Sequence, residues 1–97
     1  MSFAIILAPE AVEDLRRLKA NVRAAVRDAL EAHLRHAPTK TSRSRIKRLR
    51  GLARPQYRLR IGDIRVFYDV SDDAVEVLAI VTKPEAGSWL TQFGKTE

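Results

Sequence analysis

The sequence predicts an α+β domain ordered β-α-α-β-β-β, with a mostly antiparallel four-stranded sheet, a helical hairpin on one face and a short C-terminal helix. Three observations carry that expectation. Two stretches between Pro9 and Leu34 repeat apolar residues at helical spacing. Residues 57–70, YRLRIGDIRVFYDV, alternate about the two-residue turn Gly62-Asp63, and Val75 to Thr82 form a further apolar run. With 97 residues, 45% hydrophobic and 31% charged, residues 1–97 suffice for one domain with one core and are too apolar for disorder.

In chain order, Phe3 to Leu7 is a continuous apolar run, as in a strand covered on both faces. Pro9 opens the first helix, where its missing N–H costs nothing, and Glu10, Glu13 and Asp14 set negative charge at the positive end of the dipole. Its buried stripe is Ala11, Val12, Leu15 and Leu18. Asn21 is the expected cap of the second helix, whose stripe is Val22, Val26, Ala29, Leu30 and Leu34; Pro38 closes the helical hairpin. A basic loop follows, pinned by Ile46, Leu49 and Leu52 and punctuated by Gly51 and Pro55. After the hairpin of residues 57–70, Ser71-Asp72-Asp73 is a turn and Val75 to Thr82 is the last strand. If Val70 faces Val75, then Val77 and Ala79 join the core, while Leu78 and Ile80 lie on the opposite face. The expected strand order is first, last, third, second. Pro84 starts a final helix with Ala86, Trp89, Leu90 and Phe93 on one side and Gly94 as its stop; those aromatics read as core rather than as a stacking platform.

The hairpin concentrates the chemistry. Glycine first in a two-residue turn is the type II′ signature, and it sets Ile61 against Ile64, Leu59 against Val66 and Tyr57 against Tyr68 on one apolar face. The other face gathers Arg58, Arg60, Arg65 and Phe67. Arg60 stands opposite Arg65, and such a like-charged pair expects an anion between its members. Nine of the 18 cations fall between Lys40 and Arg60 with no acid among them, namely Lys40, Arg43, Arg45, Lys47, Arg48, Arg50, Arg54, Arg58 and Arg60. The other nine are outnumbered by the 12 carboxylates, so the net charge of +6 and the pI near 10.3 are local properties. Clustered cations that each neutralise a phosphate mark a nucleic-acid surface.

Other classes are excluded or left without support. There is no cysteine for a disulfide or a thiolate metal site, and the sequence implies no metal and no cofactor. The apolar start is too short for a signal peptide, and nothing approaches a membrane span, so the expected location is the cytoplasm. His33 and His36, the only histidines, read as helix-end residues suited to the C-terminal dipole rather than as a general base.

The chain also resembles the RelE/ParE superfamily of toxins from bacterial type II toxin–antitoxin pairs. The resemblance rests on Leu49-Arg50-Gly51-Leu52, on Tyr57 to Tyr68 with its Tyr-Arg-Leu-Arg, Gly-Asp, Arg-Val and Tyr pattern, and on Val75-Glu76-Val77-Leu78 running on to Lys83. It implies a cognate antitoxin protein that wraps the toxin and blocks its active face. RelE-like members cleave mRNA on the ribosome, whereas ParE-like members inhibit DNA gyrase. The RNase positions carry over to Arg58, Arg60, Arg65 and Lys83, with Lys83 the candidate for proton transfer. The chain departs from the best-known RNase pattern in having Pro84 where a second basic residue follows Lys83, and Trp89 or Leu90 where a C-terminal tyrosine stands. With the arginine cluster retained, the leading expectation is a ribosome-dependent mRNA endoribonuclease that inhibits translation; the alternatives are a ParE-like gyrase inhibitor and a non-catalytic RNA or ribosome binder, for which the basic loop alone suffices.

Overall fold

The structure, a computed structural model, describes residues 2–97. Its elements run β1 (Ala4–Leu7), α1 (Pro9–Arg17), α2 (Ala20–Leu34), β2 (Ile46–Arg48), β3 (Leu52–Arg54), β4 (Tyr57–Ile61), β5 (Ile64–Val70), β6 (Ala74–Thr82), α3 (Lys83–Phe93) and β7 (Lys95–Thr96). Pro9 occupies the first turn of α1 as expected, and the helix ends where Leu18 turns extended, its N–H donating to Leu15 O. Only Leu18 and Lys19 separate α1 from α2, so α2 begins at Ala20 and its cap position is Lys19. Asn21 lies inside the helix instead of capping it, because the link is too short to leave it outside. Helix α3 opens where the Glu85 carboxylate accepts from both the backbone N–H and the hydroxyl of Thr82, at 3.0 and 2.7 Å.

Five strands form the main sheet in the order β1-β6-β5-β4-β2, with β1 parallel to β6 and the remaining pairs antiparallel. The four-stranded expectation is corrected by β2, which adds to the free edge of β4 through Ile46↔Leu59, Lys47↔Arg58 and Arg48↔Tyr57. A strand with one apolar residue among cations carries no alternating pattern, yet one buried isoleucine suffices at a sheet edge, where Ile46 is 4% exposed. The rest of the expected loop holds β3, which pairs with the tail strand β7. β1 is the opposite edge strand and is not covered on both faces, since Ile6 is 51% exposed.

The β4–β5 hairpin has the register its turn dictates, from Ile61↔Ile64 to Tyr57↔Tyr68. Gly62 has φ +55 and no non-glycine residue among those described has positive φ, so Asp63 does not, which excludes type I′ and agrees with type II′. β6 departs from simple alternation. Its pairing steps from Phe67↔Ala79 to Tyr68↔Val77, leaving Leu78 as the extra residue of a bulge. Past the bulge the faces exchange. Ile80 pairs with Val66 and joins the core, while Ala79 pairs with Phe67 on the other face, the reverse of the expected assignment.

The core lies between the sheet and the first two helices, with α1 over β6 and α2 over β4. Ala11 and Leu15 from α1 and Val26, Leu30 and Leu34 from α2 meet Leu59, Val66, Tyr68, Val75, Val77 and Ile80. Tyr68 is fully buried and its hydroxyl donates to Pro38 O at 2.7 Å, tying the chain beyond α2 to the middle of β5. α3 covers part of the opposite face, where Trp89 stacks on Phe67 with centroids 5.0 Å apart.

Candidate functional site

The hairpin register builds the site. Arg60 faces Arg65 across β4 and β5, and Arg58 faces Phe67 two pairs further from the turn, so all three arginines share the sheet face that α3 partly covers. Lys47 of β2 faces Arg58 and extends the same surface by a strand. Arg60 N donates to Arg45 O at 2.8 Å, which holds the lead-in to β2 beside it.

The three arginines have distinct settings. Arg65 is 7% exposed and its Nη1 donates to Gly62 O at 2.8 Å and Ile64 O at 3.1 Å, so its guanidinium is locked against the turn. Arg60 is exposed. Arg58 is half-buried, and its buried Nε has no hydrogen-bond partner. Burial first, then the guanidinium groups of Arg65 and Arg60, pull the Arg58 pKa below the usual arginine value, although an arginine stays charged at neutral pH all the same. Among the described residues, no carboxylate ion-pairs with any of the three. Like charges held together with a buried donor unsatisfied form an arrangement that an oxyanion stabilises.

Lys83 is the first residue of α3 rather than the last of β6, because the Thr82–Glu85 cap starts the helix there. Its backbone N–H donates to Asp63 O at 2.8 Å, which sets it at the turn end of the hairpin, and its side chain is exposed. Lys40, Arg43 and Arg45 lie in the exposed segment between α2 and β2. The remaining cations of the basic stretch are spread over other surfaces. Arg48 sits on the face opposite Arg58, donates to Gln56 O at 2.8 Å and lies over the Tyr57 ring at 5.3 Å. Arg50 is exposed at the β2–β3 turn, beside Gly51 with φ +77. Arg54 is held by Asp69 at 3.5 Å and Glu76 at 3.4 Å, so its charge is matched locally.

Both tyrosines turn away from the arginines, stacked on each other at 5.5 Å on the helix side of the sheet. His33 lies in the last turn of α2, half-buried; burial, then the nearby Arg45 charge, lower its pKa, which favours the neutral imidazole. No group of side chains suited to a metal ion occurs among the described residues, and no helix is long and apolar enough to cross a membrane. Asp14 is the structural residue that its sequence position least reveals: its Oδ2 accepts from Ile80 N at 3.0 Å, satisfying the β6 edge beyond the end of β1. It stands in the negatively charged helix opening, and only the bulge at Leu78 gives it this second task.

A cleft of about 640 Å³ separates α1 from α2 along β1. Ile5, Leu7, Val12 and Leu30 line it, with Arg23 and Arg27 among its charged residues. Val12, expected in the buried stripe, is 38% exposed in this cleft.

Solved structures that share this fold include three toxin–antitoxin complexes. They are a RelBE2 toxin–antitoxin complex from Mycobacterium tuberculosis (TM-score 0.67, 21% identity, 84% of this chain and 99% of that one), a RelE–RelB complex from Pyrococcus horikoshii OT3 (0.64, 25%, 86% and 97%), and a RelB–RelE complex from Methanococcus jannaschii (0.59, 15%, 87% and 96%). No curated protein matches the sequence. The family model for the ParE toxin of the type II toxin–antitoxin system parDE matches residues 5–85, which include α1, α2 and the whole arginine hairpin, and the chain therefore belongs to that toxin family.

Proposed function

We propose that this toxin acts on RNA, as a ribosome-dependent mRNA endoribonuclease that blocks translation, and that an antitoxin protein restrains it. The observation that carries this reading is the cluster of Arg58, Arg60 and Arg65, three guanidinium groups on one sheet face with no ion-paired carboxylate. In RNA cleavage a 2′-hydroxyl gives up its proton to solvent water as its oxygen bonds to the adjacent phosphorus, the bond to the 5′-oxygen breaks, and negative charge grows on the phosphoryl oxygens. Fixed guanidinium groups stabilise that charge without having to reorganise. Arg65, locked by the turn carbonyls, is the most rigid of the three. Lys83, at the turn end of the hairpin, is the candidate to protonate the leaving 5′-oxygen. Lys40, Arg43, Arg45 and Lys47 supply phosphate contacts along the approach. For the antitoxin, the α1–α2 cleft offers an apolar floor beside the open edge of β1, a surface suited to an added strand or helix with acidic flanks.

A second reading, inhibition of DNA gyrase, is favoured by the ParE family model and by the placement of both tyrosine rings on the sheet face opposite Arg58, Arg60 and Arg65. Expression in bacteria followed by primer extension on mRNA separates the two. Codon-positioned cuts that vanish in Arg60→Ala support the first. Intact mRNA together with loss of supercoiling activity in a gyrase assay refutes it and supports the second.

A further inference from the structure

A second pocket lies at the foot of α2, at the edge of the sheet formed by β2. It measures about 240 Å³, and its lining includes His33, Lys40, Thr41, Ser42, Arg45 and Ile46. The segment that forms it is ordered by its own hydrogen bonds. Lys40 N donates to Ala37 O at 3.2 Å and Ser42 N to Ile46 O at 2.9 Å. The Ser42 hydroxyl oxygen accepts from Arg45 N at 3.0 Å and Ile46 N at 3.3 Å, which leaves its own proton for another acceptor. Among the described residues neither Lys40 nor Arg45 is ion-paired, and no carboxylate lines the pocket. Two cations, two hydroxyls and an imidazole stand around a wall that Ala37 and Ile46 make partly apolar, and together they supply the donors a tetrahedral oxyanion needs.

Position links the pocket to the arginine cluster. Arg45 is held to Arg60 through the 2.8 Å backbone bond, and Arg60 faces Arg65. Arg65, Arg60 and Arg45 thus mark three successive strand positions, about 10 Å across the sheet.

We infer that the pocket of His33, Lys40, Thr41, Ser42 and Arg45 is a second phosphate-binding site, which takes a neighbouring phosphodiester of the same RNA strand held at Arg58, Arg60 and Arg65. The identity of the strand rests on the RNA-directed reading, whereas the phosphate chemistry rests on the pocket alone. His33 reports on occupancy without being required for it: its pKa is lowered by burial and Arg45, and a phosphate beside it offsets the Arg45 charge and moves that pKa upward.

The test is an NMR titration of the His33 imidazole in the full chain, first with inorganic phosphate and then with a single-stranded 2′-O-methyl oligonucleotide that cannot be cleaved. It is run on wild type, on Lys40→Ala/Arg45→Ala and on Arg58→Met, with oligonucleotide affinity followed by fluorescence anisotropy against salt. The expected result is a His33 response to both ligands in wild type and to neither in the double variant. The double variant also weakens oligonucleotide binding roughly tenfold, and the slope of log affinity against log salt falls by about one. If His33 ignores both ligands, the site does not exist. If it responds to inorganic phosphate but not to the oligonucleotide, or if the double variant binds RNA as tightly as wild type, the RNA subsite is refuted and a free-phosphate site remains. If His33 and the double variant respond as expected while mRNA in cells stays uncut, the subsite stands and the endoribonuclease reading fails alone.

Discussion

Replacing Arg58 with methionine should stabilise the fold while removing toxicity. Arg58→Met keeps an unbranched stem of similar reach and removes three liabilities: the buried, unpartnered Nε, the cost of burial, and repulsion from Arg60 and Arg65. A buried donor left without a partner costs about 1–3 kcal/mol. Two unit charges about 7 Å apart repel by about 0.6 kcal/mol in water and about 2.4 kcal/mol at an effective dielectric of 20. Because Arg58 is only half-buried and Arg60 is exposed, solvent screening puts the repulsion at the lower figure. The two contributions sum to about 1.6–3.6 kcal/mol, with each kcal/mol worth roughly 4–8 °C in a domain of this size. Urea titration should show a higher midpoint at unchanged m-value, and the gain should shrink in part with added salt, since only its repulsive share is screened. A methionine variant about 1 kcal/mol less stable than wild type would refute the reasoning, because Arg58 would then be held by contacts more favourable than its costs. A variant that is more stable and still toxic would refute the functional half alone.

Tyr68→Phe removes the hydroxyl that donates to Pro38 O and leaves that buried carbonyl unmatched, so it should lower stability by about 1–3 kcal/mol in urea titration while changing no surface charge. Trp89→Ala removes the stack on Phe67 that fastens α3; hydrogen exchange in residues 83–93 should quicken, with a stability loss of about 1–2 kcal/mol. Asp14 gives a pH test. Burial, opposed in part by the Ile80 N–H, raises its pKa above 3.8, so the folded chain holds this proton more tightly than the unfolded chain does. Its contribution is therefore fully present below pH 3.8 and is lost as pH rises through the folded-state value. Asp14→Asn, which keeps an oxygen for Ile80 N, should gain stability relative to wild type over that rise and show no gain below it; a gain confined to acid pH would contradict this account.

How far the sequence revealed the fold depended on how local the determining physics was. The β4–β5 register followed from two residues, Gly62 and Asp63, because a two-residue turn leaves one pairing open to the strands it joins. Helix α3 was equally local, with Pro84 near its start and Gly94 at its end. The bulge at Leu78 was not legible, since an unbroken apolar run from Val77 to Val81 satisfies either assignment of faces. What selects the observed one is tertiary: Ile80 fills the space beneath α1, and Asp14 takes the N–H that it turns outward. β2 and β7 were hidden for a related reason, being edge strands whose partners, not their own composition, make them strands.

The site divides along the same line. Arg58, Arg60 and Arg65 were readable together because alternation and the turn fix a shared face, whereas Arg48 and Arg54, counted in the same basic stretch, were not separable from it by charge. Charge counting treats a cation as a contribution to a patch. The fold decides whether that cation meets a carboxylate, as Arg54 does at Asp69 and Glu76, lies on an aromatic ring, as Arg48 does at Tyr57, or stands unmatched. Matched cations already have their charge satisfied within the molecule, and binding a phosphate there must first break an existing pair. Unmatched ones would gain the whole of the phosphate interaction, which is why the proposed function assigns the phosphate chain to the strip Arg65–Arg60–Arg45 and not to the centre of the basic stretch at Arg48 to Arg54.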